Sequence, residues 1–380
     1  MVAEVLFWVC LSVIALTYAG YPVLLGALAL FKRRLRVPEM ADWPKITALV
    51  VAFNEEARIR DKIRSILEND YPPDRIEVIV CSDGSTDATD KLVAEYGDLR
   101  VRLAASPVNV GVNDAFALGA AQAAGDVLLM TDSGGMFEKG AVRLAARHFA
   151  DPKVGLVSGR IVFENPLKSS IGSGYRAYWV IETLVRSLES RLGIGTVIVG
   201  AFEMIRRAAY LPVPSRFNND IAAPMHVHSQ GLLCRYEPGA VVVTEQRKTP
   251  RQDFGRRVRI AVRAWSTIPY LLGIVPLFGN FGSWLAVLAH KYLRYVTWVF
   301  MLGALAANAF LLYSRFFQAA LAVQALFYAM ALAGWLLAAL NVRVPLVSLP
   351  FYFCLLQAAG MVGLFQALRG RQIGTWKPVD

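Results

Sequence analysis

One stretch limits the fold of this chain more than any other. An apolar run, Ile76-Glu77-Val78-Ile79-Val80-Cys81, stops at Ser82-Asp83-Gly84-Ser85-Thr86-Asp87, and a helical pattern follows from residue 86. Apolar strand, acid at its carboxyl end, glycine-bearing turn and new helix is how an open α/β sheet is built where it meets a ligand. The pattern predicts that Ser85 or Thr86 caps the helix, leaving Asp83 at the strand end facing something polar.

The surrounding chain repeats the arrangement. Ile46–Phe53 reads as a buried strand ending in Asn54-Glu55-Glu56, with helical periodicity from Arg58 to Glu68. A strand at 100–104, a helix at 112–124 and a strand from Asp126 to Thr131 follow. Strand–helix alternation at this spacing predicts a mostly parallel sheet. Three strand ends, Phe53-Asn54, Ser82-Asp83 and Thr131-Asp132, then fall along one rim. Beyond residue 170 the pattern is less regular. A helix is predicted over Ile171–Leu192, where Tyr175, Tyr178 and Trp179 sit at core-like spacing. His226 and His228 are two residues apart, which places them off a shared helix face.

Composition decides where the rest of the chain lies. A hydrophobic share of 56% over 380 residues is too high for a chain wholly in water. Residues 4–31 are longer than the ~20 residues a span requires. Basic residues follow this apolar core instead of preceding it, which excludes a cleavable leader. Further apolar runs cover 289–313, 317–341 and 345–368, while 264–286 is interrupted by Pro269, Pro276 and three glycines and suits an interfacial pair. The predicted organisation is an N-terminal transmembrane anchor (1–35), a cytosolic α/β domain (45–263), interfacial helices (264–286), C-terminal transmembrane helices (287–370) and a tail (371–380).

The net charge of +11 is carried beside the apolar runs, at Lys32-Arg33-Arg34, Arg256-Arg257-Val258-Arg259 and His290-Lys291. That is the distribution of a membrane-flanking chain, and without zinc spacing or aromatic RNA motifs it excludes nucleic acid. The four cysteines have no CxxC spacing and imply neither disulfides nor zinc. Apolar spans nearly empty of ionisable residues at their centres exclude a transporter.

Val50-Val51-Ala52-Phe53-Asn54-Glu55-Glu56, Asp70-Tyr71-Pro72-Pro73 and Val80–Asp87 together resemble the membrane-bound family 2 glycosyltransferases. This group has a GT-A fold and includes hyaluronan, cellulose and poly-N-acetylglucosamine synthases. The resemblance continues through Gly125-Asp126, Thr131-Asp132, Gly200-Ala201…Arg206-Arg207, Asn218-Asn219-Asp220 and Arg256–Arg259 to Gly370-Arg371-Gln372…Thr375-Trp376-Lys377-Pro378. It implies an α/β GT-A domain with transmembrane helices, in an integral protein of the bacterial inner membrane with the catalytic part in the cytoplasm. The implied reaction is an inverting transfer from a nucleotide sugar, UDP-linked, to a glycan or polyprenyl-lipid acceptor in envelope or exopolysaccharide synthesis. Phe53, Asn54, Glu55 and Asp83 match the residues that hold the nucleoside, and Gly111 belongs to the same donor site. Asp132 matches the first acid of the DxD motif, which binds a divalent cation, Mg²⁺ or Mn²⁺. Asp220 matches the catalytic base. Arg256, Arg257 and Arg259 match the region that faces the diphosphate, with Trp179 and Trp265 as aromatic surface for the acceptor.

The chain also departs from the pattern. Val112 stands where the family has a lysine and Ala117 where it has an Asn or Arg-Asn. The metal motif reads Asp132-Ser133-Gly134 and the base motif Asn219-Asp220, so each lacks one acid. These losses imply a weakly held cation, with Asp114 placed to compensate. They also motivate a second expectation: a weakened homologue serving as a subunit or scaffold of a polysaccharide-synthesis complex.

Overall fold

The computed structural model describes residues 1–32, 42–164, 172–245, 249–340 and 344–375, with 37, 40 and 342. Trp376, Lys377 and Pro378 of the C-terminal motif lie outside the described residues, as do Arg33 and Arg34 after the first apolar run.

Helices α1 (Val2–Ala15) and α2 (Tyr21–Leu30) form one apolar rod joined by a π turn at Leu16–Gly20. The α/β unit then runs β1 (Ile46–Ala52), α3 (Ile59–Leu67), β2 (Ile76–Asp83), α4 (Thr89–Ala94), β3 (Val101–Ser106), α5 (Val112–Ala120) and β4 (Val127–Asp132). It continues with β5 (Gly135–Phe137), α6 (Ala141–Ala146), β6 (Val154–Glu164), α7 (Gly172–Leu192), β7 (Glu203–Arg206), α8 (Asn219–Ser229) and β8 (Leu233–Glu245). Every residue of β1 is buried, as its unbroken apolar run requires of a strand covered on both faces. Ile59, Ile63 and Ile66 form the buried stripe that docks α3 on the sheet.

The sheet order is β3-β2-β1-β4-β7-β6-β8-β5. The first four strands pair in parallel, as their strand–helix alternation predicts. Further on the sheet is mixed: β7 is antiparallel to both β4 and β6, and β5 to β8, while β6 and β8 pair in parallel. Only four residues long, β7 follows α7 and the 193–202 segment and enters between β4 and β6 against the direction of both. In the parallel half Val51 sits level with Cys81 on one side and Asp132 on the other. Asp83 and Asp132 therefore finish on a common rim.

Beyond the sheet come α9 (Pro250–Ile274), α10 (Phe281–Val287), α11 (Leu293–Ala309), α12 (Arg315–Ala339) and α13 (Pro345–Leu368). The predicted boundary at residue 263 falls inside α9. Pro269 costs this helix a backbone hydrogen bond, roughly 3 kcal/mol in an isolated helix, but Ala264 and Leu271 bury against Ile221, Met225 and Trp284 and hold it straight through. Helix α10, a π turn at Leu288–Tyr292 and α11 form one helical path, starting earlier than the predicted span at 289.

Among the described residues three helices are long and apolar enough to cross a membrane: Val2–Leu30, Arg315–Ala339 and Pro345–Leu368. At one pole of the bundle Phe7 and Cys10 pack with Ala304, Ala307, Leu311 and Phe317, far from the sheet. Helix α13 does not take part there. Near its start, Ser348 and Tyr352 lie against Gly174 of α7. Toward its end Gly363 lies against Ala261, and Ile373 just beyond packs on Val258, Val262 and Ala359. Both ends of α13 thus rest on α7 and α9, its length is laid along α9, and its other faces pack on α11 and α12.

Candidate active site

The turn after β1 and the turn after β2 are knitted to each other. The Asn54 side-chain carbonyl accepts from the Thr86 amide at 2.8 Å, and the Glu55 amide donates to the Thr89 hydroxyl at 2.8 Å. Glu56 accepts from the Ala88 amide at 2.9 Å, while its own amide donates to Asp87 at 3.1 Å. This exchange holds Asn54 at φ 55°, a left-handed conformation that asparagine tolerates. Ser85 and Thr86 are spent on this contact, and α4 starts later than predicted, at Thr89, whose amide donates to Asp87. Asp83 is fully buried. Its carboxylate accepts from the amides of Val110 and Gly111 at 2.6 and 3.1 Å, fixing the loop before α5. Gly111 has φ 97°, and a Cβ there would lie 2.4 Å from the Gly374 carbonyl and 2.6 Å from Ser215. The C-terminal segment therefore closes over this loop.

A cavity of about 680 Å³ opens beside these turns. On the sheet side it is lined by Glu55, Asp132, Ser133 and Gly134, and beside them by Gly200 and Asp220. Arg256, Arg257, Arg259 and Arg263 of α9 line it from one side and Tyr178, Trp179, Glu182 and Arg186 of α7 from another. Its floor is made by the membrane helices, through Tyr18, Lys291, Arg294, Tyr295, Gln357 and Gly360.

Of the residues singled out from sequence, the fold gathers Glu55, Asp132, Asp220, Arg256, Arg257, Arg259 and Trp179 around this one space. Phe53, Asn54, Asp83 and Gly111 lie outside its lining and organise the neighbouring turns. Trp265 is a correction: it turns away from the cavity and packs on Tyr292 and Tyr295, ring centroids 5.2 and 6.4 Å off. Asp114 is another, since its carboxylate accepts from the Ser215 amide at 3.3 Å and its amide donates to the Ser215 hydroxyl at 3.0 Å. His228 bonds the Gly195 carbonyl at 2.8 Å, and His226 is buried against Tyr270, so both are core residues.

Asp132 is exposed at the end of β4, and Glu55 lies across from it. Burial raises the Glu55 carboxyl above its usual range, with Ser133 and Arg58 acting against the shift and Asp132 adding to it. Two carboxylates are hard oxygen donors suited to Mg²⁺ or Mn²⁺ when substrate phosphates complete the shell. The described residues contain no group of three metal-ligating side chains, so the protein supplies part of such a shell only.

Beneath Asp132 lies Lys62, which the sequence reading missed. It is fully buried, donates to the Thr131 hydroxyl at 2.8 Å and to the Gly135 carbonyl, and stands 4.1 Å above the Phe137 ring. Burial pushes its ammonium down to about 7, with Asp132 pulling the other way. Placed at the fourth position of a regular helix, it carried no signal in the sequence beyond its charge within a buried stripe.

Asp220 opens α8, and burial raises its carboxyl above the usual range, against the pull of Lys291, Arg186, Arg263 and Arg256. Gly200 leaves room for it: a Cβ on Gly200 would sit 2.7 Å from Asp220 Oδ1. Gly200→Ala should therefore lower turnover by roughly 10–10²-fold through a displaced carboxylate while leaving Tm nearly unchanged. Steady-state rates and thermal unfolding of the same preparation check this.

Further down, Glu182 gathers Arg186 at 3.2 Å, His290 at 3.2 Å and Arg294. Arg257 bonds the Tyr352 hydroxyl at 2.9 Å and covers the Tyr178 ring at 4.7 Å, clamping α9 to α13. These contacts bind the catalytic unit to the helices that follow it.

The glycosyl transferase family 2 description matches residues 47–211. A probable glycosyltransferase YdaM of Bacillus subtilis (strain 168) is 27% identical over 315 residues, 79% of this chain and 72% of that protein. An N-acetylglucosaminyltransferase of Rhizobium meliloti (strain 1021) is 27% identical over 63% of this chain and 61% of its own length. A poly-beta-1,6-N-acetyl-D-glucosamine synthase of Staphylococcus epidermidis (strain ATCC 35984) is 25% identical over 67% of this chain and 63% of its own length. Among solved structures, the mannosyltransferase PcManGT from Pyrobaculum calidifontis in complex with GDP-Man and Mn²⁺ superposes with a TM-score of 0.73 at 22% identity. It covers 96% of this chain and 99% of that one, which shows a shared fold. With that match beginning at β1, a fold shared with the mannosyltransferase and membrane-length helices on either side of it, this chain carries a glycosyl transferase family 2 domain.

Proposed function

We propose that the enzyme transfers a sugar, with inversion, from a UDP-linked donor to a hydroxyl of a glycan or lipid-linked acceptor in polysaccharide synthesis. The observation that carries this reading is the single cavity that joins the Asp132 rim, Asp220 and the membrane helices. The donor enters over the β1, β2 and β4 strand ends, with its diphosphate between Asp132 and the α9 arginines. A divalent cation, when bound at Asp132 with the diphosphate, offsets the charge of the leaving group. Asp220 takes the proton of the acceptor hydroxyl as that oxygen attacks the anomeric carbon. Tyr178 and Trp179 offer aromatic faces to the acceptor, and the membrane-helix floor suits a substrate delivered from the bilayer. The likeness to N-acetylglucosaminyltransferases makes UDP-N-acetylglucosamine the first donor to try.

The test is UDP release by the full chain in detergent, across a panel of nucleotide sugars, with Mn²⁺, Mg²⁺ or chelator. A shell with no more than the Asp132 and Glu55 carboxylates from the protein, completed by a diphosphate, implies activity only at high metal concentration, lost in Asp132→Ala. Donor binding absent at every metal concentration would instead support the scaffold reading, which the acid missing at Gly134 favours.

A further inference from the structure

Glu203 has no role in the reading so far, yet it is the carboxyl nearest to Asp220 in chemical terms. It begins β7, level with Met130 on β4 and Ser158 on β6, so the sheet carries its side chain into the interior beneath α8. One carboxyl oxygen accepts from the Asn219 amide nitrogen at 2.8 Å. The other is buried and has no hydrogen-bond partner among the described residues. The groups that face it are Asp220 and Asn219 on α8, Cys234 on β8 and Tyr210 after β7; none is a cation. A buried carboxylate without a cation is the costly form of this group, and its neutral acid is the stable one. Burial and the charge of Asp220 accordingly raise Glu203 to about 8, with Asn219 acting against them.

Asp220 has the opposite surroundings. Lys291, Arg186, Arg263 and Arg256 all face it across the cavity. Two neighbouring carboxyls in environments that differ in this way divide the roles of acid and base between them. The position that lacks an acid in the sequence, Asn219, is also the residue that Glu203 touches. A second carboxyl thus reaches this place from the strand below, through an asparagine amide.

We propose that Glu203 is a positioning residue for the transfer: it carries a proton beneath Asn219-Asp220 and sets the strength of Asp220 as a base. The inference rests on Asp220 being that base. In the step itself the acceptor oxygen forms its bond to the anomeric carbon while the carbon–oxygen bond to the diphosphate breaks and takes the electron pair. The hydroxyl proton passes to Asp220, and Glu203 keeps its own proton throughout. Negative charge moves away from Asp220 during this step, so a charge on Glu203 would favour it.

The test compares wild type with Glu203→Gln in the full chain in detergent, since glutamine keeps the shape and the oxygen that Asn219 bonds. Turnover of wild type should step up several-fold as pH rises through about 8, and Glu203→Gln should lack the step. Infrared difference spectra should show the carbonyl band of a protonated carboxylic acid in wild type at pH 7, missing from Glu203→Gln. Superimposable pH profiles would overturn the proposal. So would a wild-type spectrum without that band, which is decisive even if the variant does not fold. If Asp220→Asn kept its turnover while the band was present, the reading of Asp220 would fail and the protonated Glu203 would stand.

Discussion

Asp220→Asn is expected to lower turnover by ~10²–10⁴-fold, the usual contribution of a positioned general base, while UDP binding is retained. Asparagine keeps the shape of the side chain beside Gly200 and can still accept a hydrogen bond, but it cannot take a proton. The surroundings support this split between rate and binding. Asp220 lines the cavity from the first turn of α8, and the donor-side residues Glu55 and Asp132 follow strands β1 and β4. The pH dependence has a definite sign. Burial raises the Asp220 carboxyl, so the ionised base is lost as pH falls through a value above that of an ordinary aspartate. The acid limb of the wild-type profile should therefore lie higher than the usual aspartate range. Turnover with a natural acceptor and calorimetry with UDP, on wild type and variant, measure the two halves. A variant with near wild-type turnover would remove Asp220 from the chemistry.

Lys62→Met should stabilise the fold by roughly 2–4 kcal/mol at pH 7 and below, with the gain fading as pH rises toward 10. Lys62 is fully buried, and no carboxylate forms an ion pair with it among the described residues. Its ammonium is held at about 7 in the folded chain against a reference value of 10.5. Because the folded value is the lower, the unfolded chain binds the proton more tightly between these two limits. Wild-type stability then rises with pH across that window, and a methionine removes the dependence. The same substitution withdraws the two hydrogen bonds to Thr131 and Gly135 that hold the Asp132 turn, so donor affinity should fall as Tm climbs. Thermal unfolding at pH 6, 7.5 and 9.5 without donor or metal, beside UDP calorimetry, separates the two effects. Equal destabilisation at every pH would show that Lys62 acts only as packing.

The parallel half of the sheet was legible because each of its strands is a closed apolar run followed by a polar turn and a periodic helix. Asp132, Asp220 and the α9 arginines were legible because they belong to motifs in a fixed order. Glu203 and Lys62 were not. Each is one charged residue inside an apolar pattern, and its partner, Asn219 for Glu203 and Thr131 for Lys62, is near only after the sheet has formed. The role of Asn54 and Asp83 was half visible: their strand-end positions were clear, but their hydrogen bonds to Thr86 and Gly111 depend on how two turns meet. The antiparallel entry of β7 was hidden for a similar reason, since four residues carry too little periodicity to declare a direction.

The placement of α13 couples the apolar bundle to the cavity. It is one of the three membrane-length helices among the described residues, yet it lies along α9, bonds Arg257 through Tyr352 at 2.9 Å and brings Gln357 and Gly360 into the cavity lining. A tilt of this one helix in the bilayer would therefore reach the cavity wall directly.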